Sequence, residues 1–303
     1  MGLFYQHASQ SWDDYAFLTS LNWLYLFPIM LLSIGRLLLE ALRFSATAAE
    51  TWQELPLQRA FTYLVIGRLL NKVVPQSGLL YKARMLQQSG GAKLQDIASV
   101  FGTLAWMQLF FTLVLAIAAL AFSQPGLLIA EVPVLPVLFV VCLLLLVCTA
   151  ALASVARYTT PSPGQGRGRL EQFVCQTART VHALFDLRTQ PRLFTISAIT
   201  VCSSVLLAIL RLMLAYLMLS EHLEFSTSAV FVAVNRLLTL VAITPGNLGI
   251  TELIYAGLSS QLGLGIAKGV AAAVVVRLVV FMTLLLCGAL IALARPNMIR
   301  GKH

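Results

Sequence analysis

Charged residues are scarce in this chain: they make up 11% of its 303 residues, whereas apolar residues make up 59%. Soluble domains carry roughly 25% charged residues, so the composition excludes a soluble globular protein. No polar block is long enough to form a separate soluble domain. We therefore predict a single transmembrane domain over residues 1–303.

The sequence also lacks the patterns that support enzymatic chemistry. It has no glycine-rich nucleotide loop, and neither paired carboxylates nor a Ser/His/Asp arrangement occurs in a plausible context. Its five cysteines show no CxxC or Cys/His spacing of a metal site, and we expect them to pack as small hydrophobic residues. We therefore expect a protein that is not an enzyme and that has no catalytic residue, metal or cofactor.

Lys and Arg are absent from residues 1–20, but they gather at 72–93, at 157–192 and at the C-terminus. Basic loops of membrane proteins stay in the cytoplasm. We therefore predict a multi-pass protein with its N-terminus outside and its C-terminus in the cytoplasm. Such loops contact anionic lipid headgroups. We therefore interpret the net charge of +9 as a sign that the protein binds membrane lipids, and we expect no nucleic acid among its partners.

Five apolar runs reach the roughly 20 residues that span a bilayer. They are 21–43, 97–122, 134–156, 193–219 and 266–293. Regions 59–90 and 226–262 each hold two shorter apolar pieces separated by Pro and Gly. A full crossing at 59–74 would put basic stretch 72–93 opposite basic loop 157–192. We therefore predict an all-α polytopic membrane protein with about five transmembrane helices and two re-entrant or broken helical hairpins.

The two hairpin regions have similar sequences. Arg68 and Arg236 each begin an Arg-Leu-Leu triplet on an apolar run, which Pro75 and Pro245 interrupt, with Gly close behind. The triplet alone could recur by chance in a Leu-rich chain, but the order of helix, hairpin and helix recurs too. The predicted units are repeat 1 (about 21–122), a connector helix (134–156), a cytoplasmic loop (157–192) and repeat 2 (about 193–293). One crossing between the copies makes the repeat inverted, an arrangement typical of transporters.

Several charges fall in or near the apolar runs, where each costs about 2.5–3.5 kcal/mol at a helix centre. They are Arg36, Arg68, Arg211, Arg236, Glu252 and Arg277. Snorkelling to the interface is the alternative; it suits Arg43 but not Arg277, which is near the middle of its run. Glu252 has Arg277 and Arg236 as available partners. A structural ion pair and a transport role for Glu252 both remain open.

The predicted core holds more cations than anions. A cavity lined by Arg68, Arg236 and Arg277 would suit a phosphate-bearing headgroup, because guanidinium binds phosphate in a bidentate manner and helix N-termini favour anions. Asn71, Thr244 and Asn247 could add neutral hydrogen bonds.

Residues 244–252 read Thr-Pro-Gly-Asn-Leu-Gly-Ile-Thr-Glu, and a Gly-containing turn at 261–263 precedes Arg277. This segment resembles the lysylphosphatidylglycerol synthase transmembrane (flippase-domain) family, whose hallmark is Pro-Gly-Gly-Leu-Gly-x-x-Glu. Asn247 stands where that hallmark has its second Gly. The family's earlier Asn-x-x-x-Pro element is similar to residues 71–75.

The resemblance spans roughly residues 21–293. In the first half, residues 101–106 stand where the family has an acidic residue and an Arg. The resemblance implies a stand-alone member without the aminoacyl-transferase domain, located in the bacterial cytoplasmic membrane. The substrate-binding residues that we expect are Arg68, Asn71, Pro75, Gly78, Arg236, Thr244, Pro245, Gly246, Asn247, Gly249, Glu252 and Arg277.

The function that we predict is flippase-like translocation of an anionic or phosphate-bearing lipid between leaflets through a midplane cavity. The alternative is a non-transporting membrane scaffold or accessory subunit for a lipid-modifying or glycosyl-transferring enzyme. A homo-oligomer or such a partner enzyme is compatible with either hypothesis.

Overall fold

The computed structural model describes residues 21–51, 53–90, 94–123, 128–129, 132–158, 191–238 and 248–294. Over these ranges the chain forms nine helices, a 3₁₀ turn at Trp23–Tyr25, and a short β-hairpin of Leu128–Ile129 (β1) and Val132–Pro133 (β2). The helices are α1 (Leu26–Thr51), α2 (Leu57–Val73), α3 (Ser77–Gly90), α4 (Leu94–Ser123), α5 (Val134–Tyr158), α6 (Pro191–Met218), α7 (Phe225–Leu238), α8 (Ile250–Gln261) and α9 (Ile266–Ala294). The all-α prediction is confirmed.

All five long apolar runs form helices, namely α1, α4, α5, α6 and α9. Four stretches are long and apolar enough to cross a membrane: Trp23–Ala49, Val100–Ala121, Pro191–Met218 and Ile266–Ala294. The apolar stretch found within α5, Leu135–Val147, is shorter. The chain is therefore a multi-pass membrane protein, and the part that the structure describes supplies four spans by this criterion.

Both interrupted regions form pairs of short helices. The four helices α2, α3, α7 and α8 have 17, 14, 14 and 12 residues. Each is shorter than the roughly 20 residues that a crossing requires. The helical hairpins predicted at 59–90 and 226–262 are thus present, with the second break at 239–247 outside the described residues.

Helix packing has the same pattern in both halves. In the first half, α1 packs on α2 and α4, and α3 packs on α2 and α4; in the second half, α6 packs on α7 and α9, and α8 packs on α7 and α9. Two sets of contacts join the halves: α4 packs on α6 and α7, and α9 packs on α1 and α2. If α1, α2, α3 and α4 are exchanged with α6, α7, α8 and α9 in that order, each of these contacts is replaced by another contact that is also present.

The first helices of the two halves, α1 and α6, pack against each other and run antiparallel. The Asn22 N–H, just before α1, donates to the carbonyl of Met218 at the end of α6 (3.3 Å). Farther along, Arg211 Nη1 of α6 donates to Ser33 Oγ of α1 (3.5 Å). Opposite directions of corresponding helices are what an inverted repeat requires, although the inverted repeat itself stays a prediction.

Several apolar clusters hold the described helices together, and the two largest are centred one in each half. In the first half, the buried side chains of Phe44, Tyr63 and Leu86 belong to one cluster. In the second half, the ring of Phe231 packs edge-on against Tyr216 and Tyr255, with ring centroids 6.0 and 5.6 Å apart. Both hairpins are therefore anchored by aromatic side chains, which bury large apolar areas.

Candidate functional site

The first hairpin turns immediately after α2. Val74 is extended and Gln76 has a φ of 64°, while Pro75 lacks the N–H needed to continue the helix. The side chain of Asn71 accepts a hydrogen bond from the Gly78 N–H (2.7 Å). Asn71 therefore joins the end of α2 to the first turn of α3, and this contact is a structural role for a residue predicted to bind substrate.

Gly78 lets the two arms of this hairpin approach closely. A Cβ atom at Gly78 would lie 1.9 Å from the carbonyl oxygen of Gly67. No side chain fits at that distance, because the obstacle is backbone rather than a movable side chain. Gly78 is thus explained by helix packing, whereas Pro75 is exposed at the tip of the hairpin.

The second hairpin begins α8 at a glycine turn. Gly249 has a φ of 84°, in the left-handed region that favours glycine, and its N–H donates to the Glu252 carboxylate (2.9 Å). Thr244, Pro245, Gly246 and Asn247, all predicted site residues, lie outside the described residues.

Glu252 also forms an ion pair with Arg277 of α9, one of the two partners that the sequence left open. Both side chains are largely buried. The two helices are very close here, since a Cβ atom on Gly269 of α9 would lie 2.4 Å from the carbonyl oxygen of Tyr255 in α8. Glu252 therefore caps α8 and ties it to α9.

The site contains a second carboxylate, Glu40 of α1, which the sequence analysis did not select. Arg68 of α2 donates to it, and Arg36 Nε lies 3.4 Å from its other oxygen. The sequence did contain a sign of this ion pair: Arg36 and Glu40 are four residues apart, which places them on the same face of a helix. The predicted site residue Arg68 is therefore partnered by protein in this structure.

Arg236 near the end of α7 is held by α6. Its Nη2 donates to the carbonyl oxygen of Ser204 (2.9 Å) and to Ser204 Oγ (3.0 Å). Arg43 contradicts the expectation of snorkelling: its side chain is buried, and its Nε and Nη1 find no hydrogen-bond partner among the described residues. Packing of α1 against other helices encloses it.

Lys72 lies in the last turn of α2, at the beginning of the basic stretch 72–93 that we expect in the cytoplasm. Its ammonium is near enough to interact electrostatically with Arg68 of the first half and with Arg211, Glu252 and Arg277 of the second. Because α2 continues to Val73, Lys72 is still helical and precedes the turn at residues 74–76.

We call this group of charges, which are linked by ion pairs or by electrostatic interaction, the basic cluster. Its cations include Arg36, Arg43, Arg68, Lys72, Arg211, Arg236 and Arg277, and its carboxylates include Glu40 and Glu252. Among the described residues, cations outnumber carboxylates in this cluster, and both halves of the chain contribute. An anion entering the cluster would be attracted by this excess of positive charge.

In the first half, a different kind of contact joins the corresponding helices α3 and α4. The Lys82 ammonium of α3 lies over the ring of Phe101 in α4, 5.2 Å from its centroid. This cation–π contact joins α3 to α4, as the Glu252–Arg277 pair joins α8 to α9. Among the described residues, no group of three or more His, Cys, Asp and Glu could hold a metal ion.

Comparison with known proteins identifies one match. A family model described as "Lysylphosphatidylglycerol synthase TM region" matches residues 15–288. No curated protein and no solved structure matches the chain. The matched range includes every residue of the basic cluster and both hairpins, and it corresponds to the membrane region of the family rather than to its catalytic domain.

Proposed function

This chain belongs to the lysylphosphatidylglycerol synthase TM region family, and we propose that it translocates an anionic or phosphate-bearing lipid between the leaflets of the membrane. The observation that carries this proposal is the basic cluster, in which cations outnumber carboxylates among the described residues. Cations placed close together among membrane helices are costly. A lipid phosphate would lower that cost, and arginine is suited to bind it with two parallel hydrogen bonds.

Substrate binding is coupled to helix movement through the two ion pairs. Arg68 and Arg277 already hold Glu40 of α1 and Glu252 of α8. A phosphate that binds either guanidinium competes with the carboxylate for the same donors. The headgroup would thereby loosen α2 from α1, or α8 from α9, when it arrives, and the pair would re-form when it leaves. The chemistry is entirely non-covalent, and we propose no enzymatic step.

Purified protein in liposomes tests the proposal. Fluorescent phosphatidylglycerol and phosphatidylcholine with identical chains are placed in both leaflets, and dithionite bleaches the outer leaflet. We expect the protein to expose the inner-leaflet phosphatidylglycerol faster than the phosphatidylcholine. Arg68→Gln should slow this exchange, whereas Arg192→Gln, the same charge change at an exposed position outside the cluster, should not. Failure to exchange any lipid class would refute transport and favour the scaffold hypothesis.

A further inference from the structure

A cavity of about 410 Å³ lies between α4, α6 and α7. One of its walls follows α7 from Phe225, near the beginning of the helix, to Arg236 near its end. Eleven residues of helix extend about 16 Å, roughly half of the ~30 Å hydrocarbon core of a bilayer. The cavity is therefore long enough for most of one acyl chain.

The walls of the cavity are almost entirely apolar, and small residues provide the space. Ala116 and Ala119 of α4 face Ala229 and Ala233 of α7 across it. Leu206 and Phe225, which also line it, are 46% and 51% exposed. This exposure means that the cavity opens sideways, toward the surface that the surrounding lipid covers.

The inner end of the cavity differs from the rest in charge. Arg236 lines it, is fixed there by Ser204, and interacts electrostatically with Arg36, Glu40 and Arg211 of the basic cluster. Arg236 thus belongs both to the wall of the apolar cavity and to the basic cluster. A ligand that fits both parts has an anionic group at one end and a hydrocarbon chain attached to it.

The equivalent place in the other half of the chain is closed. In the exchange of halves described above, α9, α1 and α2 correspond to α4, α6 and α7. There the buried side chains of Leu37, Val65, Leu284 and Cys287 form an apolar cluster. A Cβ atom on Gly288 would lie 3.0 Å from Leu69. At these equivalent positions the structure is therefore open in one half and filled in the other. A larger apolar cavity, of about 760 Å³, lies elsewhere along α1 and α9, and none of the described residues that line it is charged.

We infer that the cavity between α4, α6 and α7 is an acyl-chain portal, which holds a fatty acyl chain of an anionic phospholipid whose phosphate binds Arg236. This inference rests on the proposed function. It adds a lateral opening through which the acyl chain stays in the membrane while the headgroup of the same lipid occupies the basic cluster. The apolar wall excludes a soluble anion as the occupant, because it would leave hydrophobic surface unfilled.

Photo-crosslinking tests the portal in the intact protein. Phosphatidylglycerol and phosphatidylcholine carrying the same diazirine-tagged acyl chain are reconstituted separately, irradiated, and mapped by peptide mass spectrometry. We expect phosphatidylglycerol to label residues 202–209 and 225–236 more strongly than phosphatidylcholine does. The exposed face of α5 at 136–147 is the internal control and should react equally with both lipids.

Two kinds of variant test the contact with the headgroup and the space for the acyl chain separately. Arg236→Gln should lower the preference for phosphatidylglycerol in the portal by about tenfold, as expected when a charge-assisted hydrogen bond is lost. Ala233→Trp should abolish portal labelling by both lipids and leave α5 labelling unchanged. Ala229→Phe, one turn away on the same wall, serves the same purpose if the first variant does not elute as a monodisperse protein.

Equal portal labelling by the two lipids, or none, would overturn the inference. Measuring leaflet exchange in the same liposomes distinguishes this failure from failure of the proposed function. Exchange that persists without selective portal labelling would refute the portal alone. Selective labelling without exchange would establish the portal and refute translocation.

Discussion

The carboxylate of Glu252 on α8 is bound to the guanidinium of Arg277 on α9, within the membrane region of the chain. The same carboxylate accepts the Gly249 N–H, so one side chain sets both the beginning of α8 and its attachment to α9. Protein contacts thus account for Glu252 without a substrate. The pair is nevertheless placed where an anion could compete for Arg277.

Removing either member of this pair should destabilise the protein. Glu252→Gln or Arg277→Gln leaves one uncompensated charge, and breaking a buried pair costs about 3–5 kcal/mol. We expect both single variants to lower the folded fraction in thermal unfolding, and the double variant to recover part of the loss. Glu221→Gln is the matched control, because Glu221 and Lys268 pair at a more exposed site (2.5 Å), where such pairs contribute about 0–1 kcal/mol. Normal stability in both single variants would contradict a structural role.

Glu40 should control how strongly the protein depends on anionic lipid. Glu40→Gln leaves Arg36 and Arg68 without their carboxylate, so a lipid phosphate gains a more favourable site. We expect the variant to unfold at lower temperature in phosphatidylcholine nanodiscs and to be rescued by phosphatidylglycerol. Glu54→Gln, at an exposed position after α1, should show no such lipid dependence. An identical loss in both lipids would argue against anion binding at Arg36 and Arg68.

Gly78 should be intolerant of any side chain. Gly78→Ala places a methyl group against the Gly67 carbonyl, so α2 and α3 must separate, and overpacking of this kind costs about 1–3 kcal/mol. Gly257→Ala in α8 meets nothing within 4 Å and should be neutral or stabilising by up to about 1 kcal/mol. Denaturant unfolding in detergent compares them, and equal stability of the two variants would refute the packing argument.

Alternating access requires the closed space between α1, α2 and α9 to open. A Cβ atom on Gly288 would lie 3.0 Å from the side chain of Leu69 across this space, so a Leu69→Cys, Gly288→Cys pair in a cysteine-free background should crosslink on oxidation. We expect the crosslinked protein to lose lipid exchange and to regain it on reduction, with Leu69→Cys alone unaffected. Undiminished exchange in the fully crosslinked protein would show that this region does not move during transport.

The predicted orientation is tested by labelling single cysteines in intact cells. Substitutions at Ser9 and His222 should react with an impermeant maleimide from outside, whereas those at Gly90, Gln165 and Lys302 should react only after the membrane is permeabilised. External reaction at position 90 would refute a first hairpin that enters and returns on the cytoplasmic side.

Which residues form helices could be predicted from the amino-acid sequence alone. Runs of about 20 apolar residues have few ways to satisfy their backbone in lipid other than as helices, and Pro75 cannot continue the helix that precedes it. The hairpin of α2 and α3 and the long helix α9 were therefore predictable. The sequence also limited the partners of Glu252 to Arg277 and Arg236, and the structure shows that the partner is Arg277.

The partners of the charged residues and the position of the portal cavity depend on how the helices pack. Glu40 lies in an apolar run and was not among the predicted site residues, but the packing of α2 on α1 brings Arg68 to its carboxylate. Lys72 was not among them either, although it is near enough to Glu252 and Arg277 to interact electrostatically with both. Partner choice depends on helix rotation and on which helices are neighbours, and neither is encoded in local periodicity. The portal at Ala233 is open between α4, α6 and α7, whereas buried apolar side chains fill the equivalent place between α1, α2 and α9. That difference arises between elements rather than within one.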